Sequence, residues 1–158
     1  MATSGKDLSA YDKTGLPDTS GMRIGLVVSE WNPEITEALC RGAHQTLLDC
    51  GIPEDCIIRW NVPGSFELAF GCKRMIERER PHAVIAIGSV VRGETPHFDF
   101  VCSATAQGIK DLNLRHDVPV IFCVLTDDTM AQARDRSGGR HGNKGTEAAI
   151  AALKMAAL

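Results

Sequence analysis

His97 is the side chain best suited to move protons in this sequence, because an imidazole exchanges its proton near neutral pH. It ends the run Arg92-Gly93-Glu94-Thr95-Pro96-His97. Thr95 before Pro96 reads as an N-cap residue followed by the residue best suited to the first helical position. Backbone N–H groups at a helix start, together with the helix dipole, form a phosphate site. The signal is a general one, since neither a GxGxxG nor a Walker lysine pattern is present. Glu94 opposes an anion, so its side chain is expected to point away. The plain alternative for His97 is an exposed helix residue.

Other residues supply complementary chemistry. Trp31 suits stacking on a flat heterocycle, although an indole can also simply cover a sheet edge. Glu67, in Ser65-Phe66-Glu67, could accept hydrogen bonds from sugar or polyol hydroxyls. A Glu in a first helical turn is equally often a capping or dipole partner. Arg134, Arg136, Arg140 and Lys144 gather positive charge beside a glycine-rich segment. For Arg134 and Arg140 a solvated basic patch is the preferred reading, as a solvated loop position is for His141. A guanidinium from this region could complete a phosphate clamp. The residues by themselves point to a site for a phosphorylated small molecule and something planar.

The elements that must position these residues follow from hydrophobic patterning. Residues 23–29, 83–91 and 118–125 are continuous apolar runs, as strands buried on both faces read. Residues 56–61 form a shorter strand, broken by Val62-Pro63-Gly64. Between them lie helical patterns. Residues 33–50 carry Ile35, Ala38, Leu39, Gly42, Ala43, Thr46, Leu47 and Cys50 on one face, with Asn32 expected as the cap, Pro33 as the first helical residue and Gly51 as the end. The second helix places Leu68, Cys72, Met75 and Ile76 together and ends in charged residues 77–80. The third, 96–113, presents Phe98, Val101, Cys102, Thr105, Ile109 and Leu112. Thr126-Asp127-Asp128 is expected to cap a short helix reaching Arg136. Residues 137–145 read as a basic, glycine-rich loop, and an Ala-rich helix runs to the C-terminus. Four strand–helix alternations predict a parallel sheet with helices on both faces. Its C-terminal edge is where ligands bind, and four loops are expected to meet there, Ser29–Asn32, Asn61–Glu67, Gly88–His97 and Thr126–Asp128.

Length and composition set the outer bounds. At 158 residues the chain suggests one domain with a substantial core. Residues 1–21, polar and without sustained periodicity, read as an N-terminal arm to a domain spanning 22–158. With 44% apolar and 23% charged residues the balance is that of a soluble globular protein. A net charge of -3 gives no electrostatic footprint for nucleic acid or an acidic membrane. The six cysteines form no CxxC pair and fall in apolar patterns, which reads as reduced thiols of a cytoplasmic protein rather than a disulfide scaffold or zinc site. No apolar stretch suggests a signal peptide or a membrane span.

Taken together and in order, the loop sequences resemble the lumazine synthase family of riboflavin biosynthesis. The resemblance is carried by Trp31-Asn32, Val62-Pro63-Gly64-Ser65-Phe66-Glu67, Gly88-Ser89-Val90-Val91-Arg92-Gly93-Glu94-Thr95-Pro96-His97-Phe98-Asp99, Val120-Ile121-Phe122 and Gly142-Asn143-Lys144-Gly145. It covers residues from about 22 to the end. It implies condensation of 5-amino-6-(D-ribitylamino)uracil with 3,4-dihydroxy-2-butanone 4-phosphate, with loss of phosphate and water and no metal or organic cofactor. Trp31 matches the aromatic position stacked on the pyrimidine, where many members have Phe. Ser65, Phe66 and Glu67 match the segment holding the ribityl chain and ring, and Ser89, Val90 and Val91 the backbone along the pyrimidine. Glu94 and Thr95 match the phosphate-binding helix start, and His97 the acid/base. Phe122 and Arg136 match residues supplied by a neighbouring subunit, Arg136 reaching the phosphate. Lys144 matches a nearby family lysine. Arg140 stands where several members have Lys, which keeps charge but alters reach, and it is left outside the implied site.

The expected fold is therefore α/β, a three-layer αβα arrangement of a four-stranded parallel sheet in flavodoxin-like order with helices on both faces. The resemblance further implies a homo-oligomer, a pentamer, with many members assembling twelve pentamers into a hollow icosahedral shell. The short loop before Gly142 favours the shell. The polar arm resembles a family segment that can extend a neighbour's sheet. A flavin- or lumazine-binding module, or a shell-forming protein with secondary catalysis, are the alternatives on the same fold.

Overall fold

The β-branched runs form the inside of a four-stranded, wholly parallel sheet. The structure, a computed structural model, describes residues 7–158. Strand β1 (Ile24–Ser29) is buried throughout, and β3 (Ala83–Val91) is buried as far as Ser89. They are flanked by β2 (Ile57–Val62) and β4 (Val120–Asp127), giving the order β2-β1-β3-β4. Edge strand β2 alternates between half-buried and exposed positions, because only one of its sides is paired and it is incompletely covered.

Two apolar layers hold helices to the sheet. Side chains of β1 and β3 such as Leu26 and Ile85 pack with α1 (Pro33–Asp49) and α5 (Lys144–Ala156). Val27, Val84 and Ala86 point the other way, against α2 (Leu68–Glu79) and α3 (His97–Arg115). This period-two alternation along a strand buried on both sides produces the three layers. In α1, Ile35, Leu39, Ala43 and Leu47 recur at four-residue spacing and are buried. Cys50 ends the helix and Gly51 follows at φ +92°, a turn favouring glycine.

Helices α1 and α5 approach closely. A Cβ on Gly145 would lie 1.9 Å from the Leu39 carbonyl oxygen, so only glycine permits this crossing. Asn143 sets the approach. Its side chain accepts from the Gly145 N–H at 2.8 Å and donates to the carbonyls of Ala38 and Ser137.

Several expectations are corrected. Asn32 does not cap α1 with its side chain, and Thr95 does not cap α3, which begins at His97 with Pro96 before it. Val101 and Cys102 are half-buried rather than core. Strand β4 starts two residues later and continues through Thr126 and Asp127, because they pair with Val90 and Val91. The short helix α4 (Met130–Arg136) is capped instead by Thr129, whose hydroxyl and the Gln132 side chain form a reciprocal capping box. Residues 137–145 are not one loop. Strands β5 (Ser137–Gly139) and β6 (Gly142–Asn143) form a small antiparallel hairpin, and Lys144 already begins α5.

Of the N-terminal arm, residues 1–6 lie outside the described residues. From residue 7 onward it lies on its own chain, through Leu8 N–H to the His141 carbonyl (2.8 Å), Lys13 Nζ to the Asp49 carbonyl (2.7 Å) and Thr19 Oγ1 to the Cys50 carbonyl (2.9 Å). All six cysteines are free thiols. Burial pushes the Cys123 thiol up to about 12.

Candidate active site

The parallel strands bring their C-terminal ends to one edge, and a cleft of about 590 Å³ opens there. It is lined by Trp31 after β1, residues 64–67 after β2, residues 89–91 at the end of β3, Gly93 and Thr95 in the next loop, and His97, Phe98 and Val101 of α3. Trp31, Ser65, Phe66, Glu67, Ser89, Val90, Val91, Thr95 and His97 are thus together. Glu94, Phe122 and Arg136 do not line the cleft.

Backbone geometry explains this convergence. The Glu30 N–H donates to the Val62 carbonyl at 2.8 Å, extending the β1–β2 pairing and holding the turn that carries Trp31 beside the loop that follows β2. Trp31 leaves 70% of its surface exposed. Next to it, Asn32 adopts φ 56°, ψ 57°, a left-handed conformation that a short polar side chain tolerates better than most. The Asn32 Nδ2 group donates to the Ser89 carbonyl at 3.0 Å. It therefore ties the end of β1 to the end of β3 where regular pairing has stopped.

A short 3₁₀ turn, Ser65–Glu67, leads into α2. It sits close on β3, since a Cβ on Gly88 would come within 2.6 Å of the Ser65 hydroxyl. The Thr105 hydroxyl donates to the Ser65 carbonyl at 3.1 Å, anchoring the turn to α3. The Ser65 and Ser89 hydroxyls are buried and have no protein partner, and both residues line the cleft. Buried hydroxyls without partners are costly, so these two are unspent hydrogen-bonding groups just behind the cleft wall.

Arg92, which sequence reasoning left without a role, organises the cleft mouth. Its backbone N–H donates to the Asp127 carbonyl at 3.0 Å, and its Nε donates to Asp128 at 2.8 Å. Nη2 donates to Asp99 at 3.1 Å, and the guanidinium lies 4.1 Å from the centre of the Phe98 ring. Hydrogen bonds to Asp128 and then Asp99 raise its already high pKa. Its position at a strand end was visible in the sequence, but its partners, 7 and 36 residues away, were not.

The residues outside the cleft have their own settings. Phe122 pairs with Ala86, three residues short of the Leu125–Ser89 pair, which is about 10 Å along the strand. Its ring is 38% exposed. Of the four cations near the hairpin, Arg134, Arg140 and Lys144 make ion pairs of 2.7–2.9 Å with Glu34, Asp135 and Glu147. Arg136 is held more loosely, 3.4 Å from Asp127. The second Asp127 oxygen is buried without a partner. Burial raises the Asp127 pKa, opposed by Arg136 and reinforced by Asp128.

Among the described residues, no group of three or more His, Cys, Asp or Glu side chains is placed to hold a metal ion. No described helix is long and apolar enough to cross a membrane. The arrangement can stack a planar ring, hydrogen-bond a polyol and place an imidazole beside a helix start.

Comparison with known proteins agrees with this chemistry. A model of the 6,7-dimethyl-8-ribityllumazine synthase family matches residues 21–158. The chain is similar to a 6,7-dimethyl-8-ribityllumazine synthase of Flavobacterium johnsoniae, 62% identical over 99% of this chain and 82% of the relative. The protein of that name from Christiangramia forsetii is 59% identical over 100% of this chain and 95% of the relative. A third, from Porphyromonas gingivalis, is 54% identical over 100% and 98%.

Proposed function

The chain belongs to the 6,7-dimethyl-8-ribityllumazine synthase family, and on that premise we propose that the cleft at the sheet edge is its active site. The protein is a transferase of riboflavin biosynthesis. It condenses 5-amino-6-(D-ribitylamino)uracil with 3,4-dihydroxy-2-butanone 4-phosphate to 6,7-dimethyl-8-ribityllumazine, releasing phosphate and water.

The observation that carries the site assignment is the meeting of Trp31, Glu67, Ser89 and His97 in one cleft. In this reading Trp31 stacks on the pyrimidine, and Ser89, Val90 and Val91 run along its edge. Ser65, Phe66 and Glu67 hold the ribityl chain, with the Glu67 carboxylate accepting from its hydroxyls. Thr95, with Glu94 turned aside, marks the helix start that receives the phosphate. His97, between the two, moves the protons of imine formation and phosphate elimination. Holding both reactants in one orientation supplies much of the acceleration, since the condensation also proceeds slowly unaided.

Phe122 and Arg136 do not line this cleft in their own chain, which supports their serving a neighbouring subunit's site. We take the protein to be a pentamer, with the short hairpin before α5 favouring the twelve-pentamer shell, and to reside in the cytoplasm. Residues 22–158 form the catalytic domain and 1–21 its arm.

The test uses purified protein with both substrates. Phosphate release and a fluorescent lumazine above the uncatalysed background are expected, and His97→Ala should slow turnover about tenfold or more. Product no faster than background would overturn the reading.

A further inference from the structure

Arg92 is the most heavily engaged cation at the cleft mouth. It stands between the last residue of β3 and the loop that leads to Thr95 and His97. Its guanidinium reaches Asp99 in the first turn of α3 at 3.1 Å and Asp128 in the turn after β4 at 2.8 Å. It also covers the ring of Phe98, a buried residue that lines the cleft. One side chain thus joins the end of β3, the start of α3 and the β4–α4 turn.

An isolated exposed ion pair contributes little. Here a planar fork is shared by two carboxylates and stacked on an aromatic ring, a geometry that Lys cannot reproduce. The two carboxylates engage Nε and one N–H of each Nη group, and together they outweigh the guanidinium's charge. A cation so engaged is poorly disposed to take up a substrate phosphate.

We propose that Arg92 is a positioning residue that holds residues 93–96 and the start of α3 in the geometry that receives the phosphate-bearing substrate. This rests on reading that helix start as the phosphate site.

The charge-removing variants Asp99→Asn and Asp128→Asn separate the two possible roles by sign. If Arg92 bound phosphate directly, removing a competing carboxylate would tighten phosphate binding. General electrostatics pushes the same way, since deleting a negative charge near an anion site favours the anion. Weakening can therefore come only from lost geometry.

The experiment measures KM for each substrate and inhibition by inorganic phosphate in the assembled wild-type protein, Arg92→Lys and the two Asn variants. In all three variants, KM for the ketone phosphate and Ki for phosphate are expected to rise about tenfold, roughly 1.4 kcal/mol. KM for the ribitylaminouracil should stay within about twofold, which a general loss of structure would not allow. Phosphate that competes with the ketone phosphate, but whose Ki is unchanged or lowered in both Asn variants, overturns the role given to Arg92 alone. Phosphate that competes with the ribitylaminouracil in the wild type overturns the helix-start reading, and the Arg92 proposal with it.

Discussion

Asn32 shows how a residue can be chosen for two properties at once. It occupies a left-handed backbone conformation and donates to the Ser89 carbonyl. Glycine at this position keeps the conformation and loses the bond, whereas alanine loses both. Urea unfolding should therefore show Asn32→Gly destabilised by about 1 kcal/mol and Asn32→Ala by about 2–3 kcal/mol. Both variants should raise KM for the ribitylaminouracil, because the Ser89–Val90 backbone would no longer be held from the β1 side. Equal stability of the two variants would show that the left-handed backbone carries no cost here.

At the scale of elements, helix contacts and ion pairs decide stability. Gly145 packs its Cα against the Leu39 carbonyl, a rigid backbone neighbour, where a methyl group would sit at 1.9 Å. Gly145→Ala should cost more than about 2 kcal/mol in chemical denaturation, because α1 and α5 must move apart. Acid sensitivity has an identifiable source. Hydrogen bonds from Arg134 hold the Glu34 carboxyl below its usual range, linking α1 to α4, and those from Arg59 do the same for Glu37, linking α1 to β2. A depressed folded-state pKa contributes stability above the ordinary carboxylate value and loses it as pH falls through the depressed value. Asp127 has the opposite sign, since its pKa is raised, so its contribution is present at low pH and lost as pH rises. Thermal melts should accordingly show Tm falling below about pH 4. Glu37→Gln should lower Tm at neutral pH and make that acid fall shallower. A fall as steep as that of wild type would remove Glu37 from the account.

At the scale of the whole molecule, His97 lines the cleft whereas Phe122 and Arg136 do not, and this makes a specific demand. If each site draws its imidazole from one subunit and its guanidinium from the next, two inactive variants can complement each other. His97→Ala and Arg136→Ala, unfolded together and reassembled in equal amounts, should recover about a quarter of wild-type activity, because one intact combination in four arises at a heterologous interface. Activity no higher than the average of the two separate variants would place both groups in one subunit's site.

The sequence by itself determined the parts that depend on neighbours along the chain. Hydrophobic period announced four strands and their helices, and parallel alternation placed Trp31, Ser65, Ser89 and His97 on one sheet edge. These are short-range consequences of side-chain direction and apolar burial. Tertiary structure decided everything that depends on a partner far along the chain. Thr126 and Asp127 look like a helix cap until β3 supplies Val90 and Val91 to pair with them. Asn32 looks like a cap until folding brings Ser89, 57 residues on, within hydrogen-bond reach. The glycine-rich segment after Arg136 looks like a loop until its own hairpin forms against the start of α5. Arg92 was an unassigned cation until the fold set Asp99, Asp128 and Phe98 around it. The reason is the same in each case. Burying backbone groups and fixing a charged side chain require particular acceptors and donors in space, and only the packed sheet and helices determine which ones arrive.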